Sequence, residues 1–600
     1  MSELLRIGCS SGFWGDSQLA APQLVHQGNI DFLVADYLAE ITLSIMARMR
    51  AKSPDQGYAV DFVTGVMAPL ASEIKQRGIR VVTNAGGMNP KACADAVRQV
   101  AENAGVNLKV AVVEGDDLLD RAEELRPEIV EMGSGKAMPE RMVSINAYLG
   151  AKPIKEALDA GAEVVITGRC TDSALVLGPL MHQFGWAEDD YDKLAQGTLA
   201  GHLVECGAQA TGGLFTDWET VPDWEIIGYP IAECRADGIF TITKPADTGG
   251  LVTPATVAEQ TVYEIGDPGA YLMADLVCDF TQVTLEKDGL DRVRVSGAKG
   301  RAPTPYYKVS GTYAEGFRSI LTVMLGGIDA DKKARRVAKA LINRTAAMFK
   351  QLGIPPYSET SIEVIGAEDT YGAQARKPAS RDVVLKIAVS HPQKEALDIF
   401  SREVTSAGTS MAPGLTGLFG GRPKVTPVVR HFPFLMEKNK VPVFYDLGEG
   451  PVVVDCTSVK GETAGTSDFP VSHETYTPTG DTVEVPLIRL AHGRSGDKGN
   501  DANIGIIARN PAYLPLLRGQ LTADAVERYF AHLLEGGVTR HEWPGIHALN
   551  FELHDVLGGG GVASLRYDPQ GKAFAQMLLD FPIKVPAVWL EKGGPLKGGK

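Results

Sequence analysis

The densest set of reactive side chains in the sequence is His492-Gly493-Arg494-Ser495-Gly496-Asp497-Lys498-Gly499-Asn500-Asp501-Ala502-Asn503. It places an imidazole, a guanidinium, a carboxylate and an ammonium within seven residues, separated by glycines. Such a segment suits a functional loop in which His492, Arg494 and Asp497 contact a substrate and Lys498 takes part in the chemistry. The plainer alternative pairs Asp497 with Lys498 across a tight turn, a contact worth little at a surface. A second cluster is Gly168-Arg169-Cys170-Thr171-Asp172-Ser173. Arg169 offers a two-pronged hold on a carboxylate or phosphate, and Asp172 is a candidate base or acid. Ser173 suits either a substrate contact or the cap of the following helix.

Three further turns carry candidates. In Gly8-Cys9-Ser10-Ser11-Gly12-Phe13-Trp14-Gly15-Asp16, the N–H groups and hydroxyls of Ser10, Ser11 and Gly12 could hold an anion or an enolate oxygen. Phe13 and Trp14 could cover an apolar or planar group. Asn84 and Gly86, in Thr83-Asn84-Ala85-Gly86-Gly87, are candidate substrate contacts. Glu114 and Asp116, in Glu114-Gly115-Asp116-Asp117, are further candidate acids or bases.

Other chemistries find less support. Gly8, Gly12 and Gly15 are spaced 4 and 3 apart rather than 2 and 3, so the dinucleotide fingerprint is missing even though Asp36 lies where a ribose ligand would. No P-loop occurs. His202 and Glu205 could share a helical face, but there is no second zinc-helix His and no CxxC pair, and His541, His547 and His554 are loosely spaced. No metal is expected. Cys9, Cys170 and Cys206 lie near turns and read first as small buried hydrophobes, although Arg169 gives Cys170 a positive neighbour. Lys299, Arg301 and Lys308 around Tyr306-Tyr307 could meet the phosphates and adenine of coenzyme A, or be a solvated loop.

These turns need a frame. Residues 5–8, 30–34, 79–82, 108–113 and 163–167 read as short apolar strands, separated by helical patterns, one starting at Asn89-Pro90. Strands alternating with helices imply an α/β domain with a large parallel or mixed sheet and helices on both faces. Every cluster in the first 190 residues then falls at the carboxyl end of a strand, where such sheets bind ligands. Residues 220–320 look β-rich, 329–352 form a long amphipathic helix, 383–389 a strand and 394–406 a helix. Residues 457–482 contain seven threonines in 26 and lose apolar periodicity, which reads as a linker (457–483) between a domain over 1–456 and one over 484–590. In the second, 485–490, 504–508 and 581–585 suggest strands, 523–534 and 572–579 helices, and 547–556 with 562–567 a hairpin around four glycines. That order suits a small α+β ferredoxin-like domain.

The chain is 600 residues long, with Lys+Arg 59 against Asp+Glu 74 and a formal net charge of −15. That balance excludes nucleic acid as a partner. Seven scattered cysteines argue for a reducing compartment rather than a disulfide framework. With no secretory start and no long apolar run, a cytoplasmic protein without membrane contact is expected.

The turns at 8–16, 83–90 and 167–172 resemble the acyclic terpene utilisation AtuA family, and 492–503 is similar to the ferredoxin-fold domain that follows it in many members. The resemblance spans about 4–455 and 484–590. It implies a role beside acyl-CoA carboxylases and dehydrogenases in the breakdown of citronellol, geraniol and similar branched acids, and it transfers no catalytic residue. The resulting expectation is a hydratase or lyase acting on a branched acyl-CoA or its derived acid. Asp172, Glu114 or Asp116 would serve as base or acid, and coenzyme A would be a substrate moiety rather than a tightly bound cofactor. One alternative is a non-catalytic subunit or ligand-binding scaffold associated with an acyl-CoA carboxylase. A second is a thioester or amide hydrolase using Cys170 or Ser173. A homo-oligomer, dimer or higher, is expected. The 492–503 segment should face the strand-end turns of the large domain, in the same chain or across a dimer.

Overall fold

The computed structural model describes residues 4–376, 379–418, 420–457, 473–561 and 563–597. Its centre is five parallel strands in the order β1-β2-β3-β6-β4, where β1 is Leu4–Cys9, β2 Phe32–Ala35, β3 Arg80–Thr83, β4 Val110–Glu114 and β6 Val164–Thr167. Between the last two in sequence, β5 (Met142–Ala147) belongs to another sheet. Neighbouring residues face opposite cores. Val81, Val112, Val164 and Ile166 pack with Leu24, Leu43, Leu70 and Val97 from four helices. Val82, Ala111, Val113 and Val165 pack with Ile154, Leu175 and Leu194 from three others. Burial on both faces is why these strands read as unbroken apolar runs rather than as alternating ones. Pro90 opens the helix Pro90–Asn103, as the sequence suggests.

Antiparallel strands extend this sheet to eleven, four beyond β1 and two beyond β4, so the sheet is mixed. The region expected to be β-rich is so, with one helix, Pro254–Thr261, set by a capping box at Thr253 and Thr256. A second sheet is organised by one long strand, Tyr306–Gly326, which pairs with β5, Asp382–His391 and Val425–Glu437. The helix Ala330–Leu352 contributes Ala334, Val337 and Leu341 to the core beneath it.

The C-terminal domain has a four-stranded antiparallel sheet, Ala491–Lys498, Asp501–Ala508, Ala548–Leu553 and Val538–Trp543 in that order, and a two-stranded ribbon of Thr482–Pro486 with Pro582–Pro586. It corrects two expectations. Residues 492–503 are not a loop but a hairpin, with Lys498 opposite Asp501 and only Gly499-Asn500 at the turn. Residues 548–553 pair with 501–508 and 538–543, and 563–567 form no strand. Most of the expected linker, 458–472, lies outside the described residues.

The alternation along this sheet explains how the domains fit. Ala502, Ile504, Ile506, Leu549, Phe551 and Leu553 form the small domain's own core. The intervening positions face the large domain, where Ile507, Trp543 and Ala548 join its hydrophobic core. Asn503 Nδ2 donates to Val262 O (2.7 Å), Asn550 Nδ2 to Ile265 O (2.7 Å), and Trp543 Nε1 to Phe280 O (2.7 Å). Gly505 lets the backbones meet: a methyl there would sit 2.2 Å from Val262 Cγ2. Both faces of the small sheet are thus covered.

Candidate functional site

The first hairpin strand divides its side chains between two partners, with the period of two that a strand dictates. Ser495 turns inward, its hydroxyl donating to Gly571 O (2.7 Å), and Asp497 meets Lys572 Nζ at 3.0 Å. The alternate residues point to the large domain. His492 stacks on Phe215 at 5.4 Å between centroids and sits 3.2 Å from Asp217 Oδ2. Arg494 bonds Leu214 O (3.2 Å) and Gln209 Oε1 and lies 4.7 Å over the Tyr263 ring. Gly496 admits Glu264 and Tyr263, since a methyl there would lie 2.5 Å from Glu264 Cγ. Lys498 comes last. His492 and Arg494 therefore act as docking residues, and Arg509 completes their contact with two bonds to Asp217, at 2.6 and 2.7 Å. Arg509 first and His492 second hold the Asp217 carboxyl well below the usual range.

Docking carries Lys498 to a group of acids. Its side chain is exposed to solvent, beside the docked face of the large domain. Desolvation by the surrounding protein disfavours its charge, but Tyr271, Glu264, Asp172 and Glu205 outweigh it and raise its pKa, so Lys498 stays an ammonium. Asp172 joins this group from the turn after β6, its carboxylate bonded to Arg169 Nη1. Arg169 is buried, with its guanidinium 4.1 Å over Tyr148, whose ring also lies 5.1 Å from Lys308 Nζ. The turn after β2 adds Asp36, whose Oδ1 accepts from Asn84 Nδ2 (2.6 Å) and Leu38 N (3.1 Å). Burial and then the charge of Asp172 push Asp36 well above an ordinary carboxyl, against the pull of Arg169 and Asn84.

Three groups that sequence reasoning did not assign to the site belong here. Glu205 follows the helix Tyr191–Val204, and burial raises its pKa despite a bond from His202 and the charge of Lys498. Glu264 moves the other way: burial raises it, but Lys572 and Lys498 together bring it below its ordinary value. Its backbone is in the left-handed region (φ 57°), held there by an N–H bond to Asn503 Oδ1 (2.9 Å). The Tyr271 ring lies 6.2 Å from that of His202. The i,i+3 spacing of His202 and Glu205 is the one signal the sequence carries for this group, and as a metal pattern it is incomplete. The site combines an ammonium, a guanidinium, carboxyls pushed up and a carboxyl pulled down, an arrangement that can bind an anion and move protons on either side of it.

Other candidates hold the frame. Ser10 Oγ donates to Val34 O (3.3 Å), Ser11 Oγ to Phe13 O (2.9 Å) and Gly12 N to Asp16 Oδ2 (2.9 Å), so this turn is closed by its own groups. Gly12 also lies against the Cys206–Gly207 backbone, where a methyl would sit 2.6 Å from a carbonyl carbon. Phe13 is exposed, and Trp14 Nε1 donates to Asp61 Oδ2 (3.1 Å). Asn84 orients Asp36, and Gly86 is where β3 and β6 turns touch, since a methyl there would lie 2.5 Å from Thr167 O. Asp116 accepts from Arg169 N (2.7 Å) and Asn146 Nδ2 (2.9 Å) and so fixes the turn that aims Arg169. Burial, opposed by those bonds, lifts its pKa to about 7. Glu114 pairs with Lys91 at 2.9 Å, apart from the Lys498 group. Ser173 is buried under Gly201 and makes no side-chain cap. Cys9 and Cys170 are buried, and burial pushes both thiols, and that of Cys206, upward, so a thiolate nucleophile is disfavoured. Lys299 pairs with Asp192 (2.7 Å) and Arg301 with Gly269 O (2.9 Å). Among the described residues, Asp501, Glu552 and His554 place one ligand-type atom each within 4.8 Å of one another, a proximity the sequence spacing hides. Existing bonds to Asp555 N and Thr539 already orient Asp501 and His554.

The fold defines a two-domain α/β protein whose C-terminal ferredoxin-like domain packs one face of its sheet on the larger domain. The model of the acyclic terpene utilisation family protein AtuA matches residues 5–447, and that of the AtuA ferredoxin-like domain matches 485–584. The chain belongs to the AtuA family. No curated protein and no solved structure matches it. Among the described residues, no helix is long and apolar enough to cross a membrane.

Proposed function

We propose that the protein is a hydratase or lyase that adds water to, or removes it from, a branched acyl group, presented as a coenzyme A thioester or as the free acid. What supports this reading is that docking of the small domain brings Lys498 within the electrostatic reach of Asp172 and Glu205, so that their charges hold it as an ammonium. Reversible hydration beside a carbonyl needs a base for the α-proton, an acid for the leaving hydroxyl and a positive group for the enolate oxygen. Asp172, oriented by Arg169, suits the base. Lys498, held as an ammonium, suits the oxyanion and not the base role. A cavity of ≈ 400 Å³ lined by Leu214, Phe215, Trp218 and Trp224 shares Lys572 with this site and has room for a branched hydrocarbon chain. Membership in a family named for acyclic terpene utilisation supports the same substrate class.

The test is incubation of the purified full-length protein in D2O with a panel of branched enoyl and 3-hydroxyacyl thioesters and the corresponding acids. Mass spectrometry and NMR should show gain or loss of water with α-deuteration, and Asp172→Asn should abolish the deuteration. If no compound turns over or exchanges, and a biotin-bearing carboxylase co-purifies instead, the protein is a scaffold.

A further inference from the structure

His202 is among the most buried polar residues of the chain, and both of its ring nitrogens are engaged. Nε2 lies 3.0 Å from the Gln260 carbonyl oxygen, and Gln260 Nε2 donates back to His202 O at 3.1 Å. This reciprocal clasp joins the helices Tyr191–Val204 and Pro254–Thr261 and fixes the ring. A carbonyl oxygen can only accept, so Nε2 must carry its hydrogen. The other nitrogen, Nδ1, lies 3.2 Å from Glu205 Oε1. With Nε2 committed, a hydrogen bond there requires one proton, resident either on the carboxyl or on Nδ1.

We infer that His202 and Glu205 form a one-proton relay, in which Glu205 is the second acid–base group of the site and His202 is the positioning residue that holds and returns its proton. The inference rests on the hydratase or lyase reading. In the elimination direction, Asp172 takes the α-proton and that C–H pair becomes the C=C bond. The C–O pair departs with the hydroxyl oxygen, which takes the Glu205 proton and leaves as water. The pair is recharged from solvent as the proton on Asp172 is released, so the protons balance. Hydration runs the same steps in reverse.

The environment favours such a pair. Glu205 is bonded by His202 from the last turn of the preceding helix and lies within the electrostatic reach of Asp172 and Asp36 from the strand-end turns, Lys498 from the small domain and the adjacent Cys206 thiol. Burial and the charge of Asp172 favour the proton on Glu205, while the imidazole and Lys498 favour its release.

Two measurements separate this inference from the reading beneath it. Long-range ¹H–¹⁵N NMR of histidine-labelled full-length protein reports which ring nitrogens carry hydrogen. A hydrogen on Nε2 of His202 is expected, and a neutral ring protonated only at Nδ1 overturns the relay whatever the activity. The second is the pH profile of turnover. Glu205→Gln should lower kcat by roughly 10²–10⁴-fold, the usual loss of a general acid. His202→Gln should lower kcat with little change in KM and shift one limb of the profile, and Glu205→Asp should restore part of the rate. A folded His202→Gln protein with the wild-type pH profile overturns the relay. Failure of the wild-type protein to turn over any substrate, with the Nε2 hydrogen confirmed, refutes the hydration step and with it the catalytic part of the relay.

Discussion

The turn after β1 and the hairpin of the small domain have similar compositions of glycines, hydroxyls and charges, but the fold uses them in opposite ways. The β1 turn closes on itself: Ser10, Ser11 and Gly12 bond to Val34, Phe13 and Asp16, and Tyr229 OH donates to Asp16 at 2.5 Å. The hairpin is regular strand: Ala491–Lys498 pairs along one edge with Asp501–Ala508, while its other edge meets the large domain, where Gly493 N donates to Thr216 Oγ1 (3.1 Å), so its side chains are left for others. Three alternate positions dock and the fourth, Lys498, reaches the acids. A polar cluster thus points outward when its backbone belongs to a sheet, and inward when its side chains must supply the bonds that a tight turn lacks.

The sharpest break of this comparison is Lys498→Met, which keeps length and removes charge. We expect kcat to fall by roughly 10²–10³-fold, the scale of losing one oxyanion-stabilising group, with partial rescue by Lys498→Arg. The melting temperature should fall modestly, since the acids that raise the Lys498 pKa mean that its ammonium stabilises the fold at neutral pH. Turnover within threefold of wild type would mean that the hairpin serves only to dock.

Gly505→Leu tests whether docking is what delivers the lysine. The new side chain must occupy the place of Val262, and overpacking of this kind costs about 1–3 kcal/mol. Denaturation should show the lower stability, and activity should fall although Lys498 and every acid of the site are intact. Full activity in a destabilised protein would separate docking from function. The same interface predicts that the small domain, cut free, exposes Ile507, Trp543 and Ala548.

Glu259 gives a smaller, pH-dependent effect under the hairpin. It is buried and accepts from Thr216 N at 3.1 Å, and burial lifts its pKa to about 7, against the bonds from Thr216 and the charge of Arg494. Since the folded pKa lies above the unfolded one, its favourable contribution is complete below about pH 4.3 and is lost as pH rises through about 7. Glu259→Gln mimics the neutral form. It should change stability little at pH 5 and raise it by about 1–2 kcal/mol at pH 8, part of the gain being offset by the new NH₂ group. Equal differences at both pH values in chemical denaturation would show that Glu259 is ionised throughout.

The same contrast marks how far the sequence could be read. The central sheet was legible because strands buried on both faces are short runs of Val, Ile and Ala ending in glycine-bearing turns, and Pro90 marks a helix start. The hairpin was not, because Gly493, Gly496, Asn503 and Gly505 interrupt the strand pattern. Their identities answer to contacts elsewhere: Gly496 to Glu264, and Asn503 and Gly505 to Val262. Lys498 and Asp172 were identifiable by type. Glu205, Glu264 and Tyr271 were not, since nothing near them in sequence shows that three separate segments converge on one ammonium.

The smallest effect tests the quiet side of the comparison. Ser11→Ala removes the hydroxyl bond to Phe13 O and nothing that faces Lys498 or Asp172. Loss of one partly buried hydrogen bond should lower stability by about 0.5–1.5 kcal/mol. The Phe13 carbonyl keeps access to water because Phe13 is exposed, which places the cost at the low end. If the turn is purely structural, KM and kcat should each stay within about twofold, a difference of roughly 0.4 kcal/mol. Ser10→Ala should behave alike, since its hydroxyl bonds Val34 O at a longer 3.3 Å. A rise in KM of tenfold or more in either variant, with stability unchanged, would show that the hydroxyls turn to the substrate when it binds. The β1 turn would then join the hairpin as a binding element, and the division drawn between the two regions would fail.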